Sequence, residues 1–493
     1  MPGMPCSART ASAKAGGIGA SAVPPVPRSG LTPDETPDTS REPASGVYYA
    51  LAALVGAVAG FFGTLFHLLT DKAGTWPSLL LPHLDGPVLY LALAGVSAAM
   101  VTLSVALVRA FAPEAAGSGV QEIEGALEGL RILRWKRVLP VKFVAGVLAL
   151  GSGLVAGREG PTIHMGASVA KAVSDAFRLG TRDGRGLLAA GAAAGLAAAF
   201  NAPLAAILFV IEETRRQFPY GLRTYSAVII CSAAGAVATQ MIAGTGPDMR
   251  LDVAEVPLLW LPAFLVLGAI LGALGVAFNR ALVAALDGAR ALAVTVSPYL
   301  LPVLVGAAIG PLLILRPEAT SGGELLAVSL PGMGLPALTL AGIVVIRFTM
   351  TMASYSTGIP GGIFAPILAL ATAVGVLFGT LLDVAFHLPP GLVAALGVAA
   401  MGGLFSATVR APLVGMVLVA ELTGSYDLLV PVIFTCVTAN LVAEALGGKP
   451  IYEVLLERTL RLAGTPVRPP HEDAPPAGEA IGGWDERERR PQP

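Results

Sequence analysis

Charge is what this chain has least of. Asp, Glu, Lys and Arg together make up 13% of its 493 residues, against 54% hydrophobic types. Soluble domains carry roughly 25% charged residues. So deep a deficit, at a mean hydropathy of +0.73, excludes a water-soluble protein and puts most of the length in hydrocarbon. Length is then no guide to a number of soluble domains. The formal net charge of −1 gives no global attraction to nucleic acid or to an acidic partner. Cysteine is nearly absent, with Cys6 in a polar stretch and Cys231 and Cys436 inside apolar runs. Three widely spaced thiols build neither a disulfide framework nor a metal site and read as small packing residues. The five histidines show no ligand spacing, and His164, alone in an apolar helix, reads as a satisfied core residue rather than a proton carrier. A Ser/His/Asp set, a metal cluster and a phosphate-cradling loop are also missing, so the chain is not read as an enzyme and calls for no cofactor.

What is present is a long series of apolar segments between two polar ends. Residues 1–46 are rich in Ser, Pro, Ala and Gly and lack an apolar core of signal-peptide length, so a disordered tail is expected there rather than a cleaved targeting segment. Apolar stretches then fill 47–70, 86–112, 137–156, 160–177, 186–213, 223–244 and 255–285. They continue at 297–315, 334–356, 362–386, 390–405, 409–424 and 427–446. Some reach the ~20 residues of a full crossing, and several fall short. Residues 463–493 are again polar and Pro-rich, an expected second disordered tail with no further folded domain. Basic residues cluster at Arg131, Arg134, Lys136 and Arg137, at Arg178, Arg182 and Arg185, at Arg215, Arg216 and Arg223, and at Lys449, Arg458 and Arg461. The loops near Asp85 and from Thr245 to Asp252 are much less basic. The cytoplasmic bias of Lys and Arg therefore places the four clusters inside.

An internal repeat runs through the apolar part. Ala202-Pro203-Leu204 is followed by Glu212 as Ala411-Pro412-Leu413 is by Glu421. Gly157-Arg158-Glu159-Gly160-Pro161 matches Gly362-Ile363-Phe364-Ala365-Pro366 as Gly-x-x-x-Pro, and Ala116-Gly117-Ser118-Gly119 resembles Ala319-Thr320-Ser321-Gly322. The offsets lie between 203 and 209 residues and keep one order, which argues for two homologous halves, about 47–244 and 255–462. Halves with Gly/Pro-interrupted apolar segments at matching places mark a transporter whose site lies at the repeat interface.

The chemistry gathers at those interruptions. Proline suits the first turn of a helix, where no amide donor is lost, and glycine lets the chain bend into it. A helix starting at 157–161 aims free backbone N–H groups and about half a positive charge into the bilayer, and 362–366 does the same from the other half. Two such ends make an anion site without lysine or arginine, and partial charges release an ion that a fixed cation would hold. Ser118 adds a hydroxyl donor on a third segment of this kind. Glu159 is an ionisable group at membrane depth, hence functional by default. Its carboxylate can mimic the permeant anion, and once protonated it can swing away. The bland alternative is an ion pair with the adjacent Arg158. Glu212 and Glu213 end an apolar run before Arg215 and Arg216, and solvated salt bridges explain them equally well.

These segments resemble the CLC family of chloride channels and transporters over about residues 45–462, and in particular its bacterial proton/chloride exchangers. The family's Gly-Ser-Gly-Ile-Pro resembles Gly117-Ser118-Gly119-Val120-Gln121, Gly-Arg-Glu-Gly-Pro is intact at 157–161, and Gly-x-Phe-x-Pro stands at 362–366. A late tyrosine follows in Gly448-Lys449-Pro450-Ile451-Tyr452, and the runs 137–143 and 191–213 are similar too. The resemblance implies an all-α polytopic fold of two inverted-repeat halves with broken, re-entrant helices. It implies a membrane domain at 47–462 and a multi-pass protein of the bacterial inner membrane with both termini cytoplasmic. The implied partners are chloride, protons, the lipid bilayer and a second copy of the chain, one pore per subunit. Ser118 and Tyr452 would hold the central chloride with the amides of Ile363 and Phe364, and the amides of Arg158, Glu159 and Gly160 would line an outer site. Glu159 would be the external gate and proton acceptor, and Glu213 the internal proton-transfer group of a chloride/proton antiporter. The alternative is a passive voltage- or pH-gated chloride channel. Gln121 departs from the family's proline, which puts chloride-versus-nitrate selectivity in question. The nucleotide-binding domain pair of many eukaryotic members has no counterpart here.

Overall fold

The computed structural model describes residues 43–214, 221–246, 249, 251 and 256–464. Most of both expected tails, together with Arg215, Arg216 and Asp252, lies outside the described residues. The chain divides into a body, residues 39–458, and a unit of the two chain ends, whose described part is the close of the last helix.

The first half runs through α1 (Ser45–Gly74), α2 (Pro77–Leu80), α3 (Gly86–Phe111), α4 (Val120–Leu127), α5 (Trp135–Gly151), α6 (Glu159–Ala176), α7 (Thr181–Phe200), α8 (Pro203–Thr214) and α9 (Leu222–Ala243). The second runs through α10 (Leu261–Thr295), α11 (Leu300–Leu315), α12 (Glu324–Ser329), α13 (Ala337–Ser356), α14 (Phe364–Phe386), α15 (Leu392–Val409), α16 (Pro412–Thr423), α17 (Leu429–Ala445) and α18 (Ile451–Leu462). Among the described residues eight segments are long and apolar enough to cross a bilayer. Others are too short: α8, α16 and α18 have 12 residues each, about 18 Å of helix against a hydrocarbon core of ~30 Å. Such helices begin or end at mid-depth, where their terminal amides and carbonyls face the interior.

Three boundaries differ from the sequence expectation. The apolar run 186–213 is two helices, because Asn201 turns the chain into the left-handed region (φ 50°) and Pro203 starts α8. The second half repeats the device, with Arg410 at φ 69° and Pro412 at the start of α16. Helix α10 continues ten residues beyond the apolar run expected to close at 285, since Asp287 and Arg290 end hydrophobicity without breaking helical backbone. The first helix begins at Ser45, inside the tail expected to reach 46.

The two halves grip each other through matching contacts. Glu212, near the end of α8, accepts the amides of Leu413 (3.4 Å) and Val414 (2.9 Å) at the start of α16. Glu421, near the end of α16, accepts those of Leu204 (3.1 Å) and Ala205 (2.7 Å) at the start of α8. Each helix therefore caps the other's N-terminus, which requires the pair to run antiparallel. Gly117 donates to the Ile359 carbonyl at 2.8 Å, and 204 residues on Ser321 donates to the Gly153 carbonyl at 2.8 Å. Lys142 Nζ donates to the carbonyls of Ala115 (3.1 Å), Gly117 (2.7 Å) and Ser118 (3.1 Å). Arg347, 205 residues later, donates to those of Glu318 (3.3 Å), Thr320 (2.8 Å), Ser321 (3.3 Å) and Gly322 (2.6 Å). Both cations are fully buried. They satisfy carbonyls that a helix-start loop turns away from water and that would otherwise cost free energy.

Close packing completes the body. A Cβ on Gly166 of α6 would land on the Gly191 carbonyl of α7, and one on Gly195 on the Thr162 carbonyl. Between helices in lipid, where apolar burial gives little drive, such backbone approach supplies the van der Waals contact.

Candidate functional site

The loops ahead of α4, α6 and α14 are joined by backbone hydrogen bonds. Gly157 and Gly362 donate to each other's carbonyl, both at 2.7 Å, and Gly361 donates to Gly117 at 3.2 Å. The first bonds inside the helices are Thr162 to the Arg158 carbonyl (3.0 Å) and Ile367 to the Ile363 carbonyl (2.9 Å). Amides earlier in each turn have no acceptor within their own helix. Two positive helix ends therefore meet back to back across the Gly157–Gly362 pair.

Most of the site residues expected from sequence come together here. Ser118, Glu159, Ile363, Phe364 and Tyr452 are at most 1% exposed. A Cβ on Gly160 would stand 2.8 Å from Ser118 Cα, and one on Gly362 would stand 3.0 Å from the Gly160 nitrogen. Glycine at both places lets the three segments touch. Ser118 donates its amide to Tyr355 Oη at 3.3 Å, and its hydroxyl has no partner among the described residues. Gly119 takes φ 93° ahead of α4, with the His164 ring filling the space where a side chain would go. Phe364 stacks on Phe405 (4.4 Å between centroids) and Phe200 (5.1 Å) and meets Phe209 at 6.0 Å; Phe209 in turn meets Tyr452 edge-on at 6.3 Å. This aromatic cluster fixes Tyr452, at the start of α18, beneath the start of α14. Tyr452 lies within electrostatic reach of Tyr355, Glu124, Glu159 and Glu213.

The Glu159 side chain folds back over its own helix start. A Cβ on Gly157 would lie 3.0 Å from its Cδ and 3.2 Å from the Ala365 amide nitrogen. Its carboxyl thus lies between the first turns of α6 and α14, and neither oxygen has a hydrogen-bonding partner among the described residues. Arg158 points elsewhere. Its Nε donates to the Ala199 carbonyl at 3.1 Å, and its Nη2 pairs with Glu324 at 3.4 Å. The guanidinium belongs to an ion pair other than the one considered with Glu159.

Glu212 and Glu213 separate cleanly. Glu212 caps α16, whereas Glu213 shares a side-chain hydrogen bond with Glu124 of α4, which is 1% exposed. A hydrogen bond between two carboxyl groups requires a proton on one of them. Sequence reasoning did not single out Glu124, Tyr355, Glu324 or the role of Lys142. The signal for Glu124 and Lys142 was a charge inside an otherwise apolar segment. His164 corrects an expectation: it is fully buried, yet neither ring nitrogen has a partner among the described residues. Gln121 is buried close to Gly117, with its Oε1 unpartnered among the described residues.

Residues 99–444 match the voltage gated chloride channel family. The H(+)/Cl(-) exchange transporter ClcA of Vibrio parahaemolyticus is 45% identical over 422 residues, covering 83% of this chain and 89% of that protein. ClcA of Citrobacter koseri is 44% identical over 428 residues, covering 83% and 88%. The crystal structure of a slow cyanobacterial Cl-/H+ antiporter superposes with a TM-score of 0.80 at 38% identity, covering 84% of this chain and 98% of that one.

Proposed function

The chain belongs to the voltage gated chloride channel family, and from that premise we propose that this integral, multi-pass membrane protein exchanges chloride for protons. The observation that carries the reading is the Glu159 carboxyl lying between the starts of α6 and α14. Two helix N-termini favour one negative charge there, and the ionised side chain and a chloride ion compete for the place. Protonation removes the charge, the side chain leaves, and chloride enters. One residue then opens the path and carries the proton.

Below it, Ser118 Oγ and the Tyr452 hydroxyl hold the central chloride with the amides of Ile363 and Phe364, and the amides of Arg158, Glu159 and Gly160 line the outer site. Glu213 takes the proton from the internal side. Its bond to Glu124 supports this role, because a pair that already shares a proton exchanges it with little rearrangement. Both termini are cytoplasmic, the membrane is the bacterial inner membrane, and two copies form a homodimer with a pore in each. Repeat halves at about 47–244 and 255–462 agree with the reciprocal caps of α8 and α16.

The test is proton movement in liposomes driven only by a chloride gradient. Exchange predicts protons driven uphill by wild-type protein and no proton movement with Glu159→Ala. Chloride flow without proton movement in the wild type would make the protein a passive channel.

A further inference from the structure

Beside the anion site runs a chain of charges that anion binding does not call for. Arg158 Nη2 reaches Glu324 at 3.4 Å, its Nη1 meets His67 Nε2 at 3.1 Å, and His67 pairs with Asp71 at 3.1 Å. The Arg158 side chain is 8% exposed and that of Glu324 27%, so water reaches Glu324 while its partner stays buried. Glu324 opens α12. Gly323, at φ 93°, turns the chain into that helix, and Arg347 holds the preceding carbonyls. A Cβ on Gly322 would stand 3.5 Å from Ala365 Cβ and 3.8 Å from Glu324 Oε1. Ala365 is also the residue whose amide faces the Glu159 carboxyl. The two acids thus flank one residue, and the charge of Glu324 acts on Glu159.

We propose that Glu324 sets the external pH at which Glu159 opens the anion path. The inference rests on the reading of Glu159 as the external gate. An ionised Glu324 opposes a second negative charge next to it, and by holding Arg158 it also offsets the positive charge nearest Glu159. Neutralising Glu324 removes the repulsion and leaves Arg158 less opposed. Both changes favour the ionised, blocking form of Glu159, so more acid is needed to open the path. The other charged or titratable groups around this corner are His67 and Asp71 from α1, the Arg316–Glu318 pair, Arg347 from α13, and Tyr452 from α18. None of them joins Arg158 to Ala365 as Glu324 does.

The experiment is chloride flux against external pH in liposomes for wild-type, Glu324→Gln and Glu324→Asp proteins, and for Glu324→Gln in a Glu159→Ala background. Glu324→Gln is expected to move the flux midpoint to lower pH by ~0.5–1 unit, the scale of one neighbouring charge near a protein surface. Glu324→Asp, which keeps the charge and the helix start, is expected to stay near wild type. In the Glu159→Ala background Glu324→Gln should change nothing. An unmoved midpoint in Glu324→Gln, or the same change with Glu159 absent, overturns the proposal. Wild-type pH dependence in Glu159→Ala alone would overturn the gate reading instead, and the two failures are told apart by that single variant.

Discussion

Replacing Ser118 by Ala isolates one contact of the central anion site. The Ser118 hydroxyl has no partner among the described residues, so its loss breaks no internal hydrogen bond. Its Cβ survives in alanine, and with it the packing of α6, whose Gly160 abuts the Ser118 backbone. The change therefore falls on the ion. A hydrogen bond to a charged group contributes about 1.5–3 kcal/mol, and each 1.4 kcal/mol is a factor of ten, so chloride should bind roughly ten- to a hundredfold more weakly. Close packing leaves little room for a water molecule to replace the lost donor. Calorimetric titration of chloride into detergent-purified protein measures the affinity, and melting in chloride-free buffer measures the fold. The expected pair of results is a large loss of affinity with stability within about 0.5 kcal/mol of wild type. Unchanged affinity, or an affinity loss matched by destabilisation without chloride, would refute the role given to Ser118.

Other variants test other parts of the account. Glu213→Gln should keep chloride flux and lose coupled proton movement, read with a pH electrode in the same liposome assay; continued proton movement would remove Glu213 from the pathway. Ser118→Pro should shift preference from chloride toward nitrate, and an unaltered anion ranking in competition flux would contradict this. Lys142→Met leaves three buried carbonyls without their donor, at about 1–3 kcal/mol for each, so melting should fall by many degrees. Lys142→Arg, which keeps charge and donors, should lose less.

The skeleton of this site was legible because it is local. Gly-x-x-x-Pro at 157–161 and at 362–366 announces a helix start within five residues, and both starts are where the spacing put them. The repeat was legible for the same reason, through motifs standing about 205 residues apart. What escaped depends on contacts distant in sequence. Glu124 and Glu213 are 89 residues apart, and nothing near either names the other. Lys142 and Arg347 occupy matching places in the two halves, yet lysine and arginine do not align by identity. Only the carbonyls they hold reveal the match. Apolar content could not divide 186–213, since Asn201 breaks the helix by backbone conformation rather than by polarity. Glu324 read as an ordinary loop acid until Arg158 was found against it.

The central claim is that converging helix starts hold an anion and that the Glu159 carboxyl occupies part of the same path. Crystals grown in bromide test it most directly, through the anomalous signal of the ion. The account predicts one bromide among Ser118, Tyr452, Ile363 and Phe364 in wild-type protein, and a further one between the starts of α6 and α14 in Glu159→Ala. No bromide at the junction of α4, α6 and α14 in either protein would contradict it.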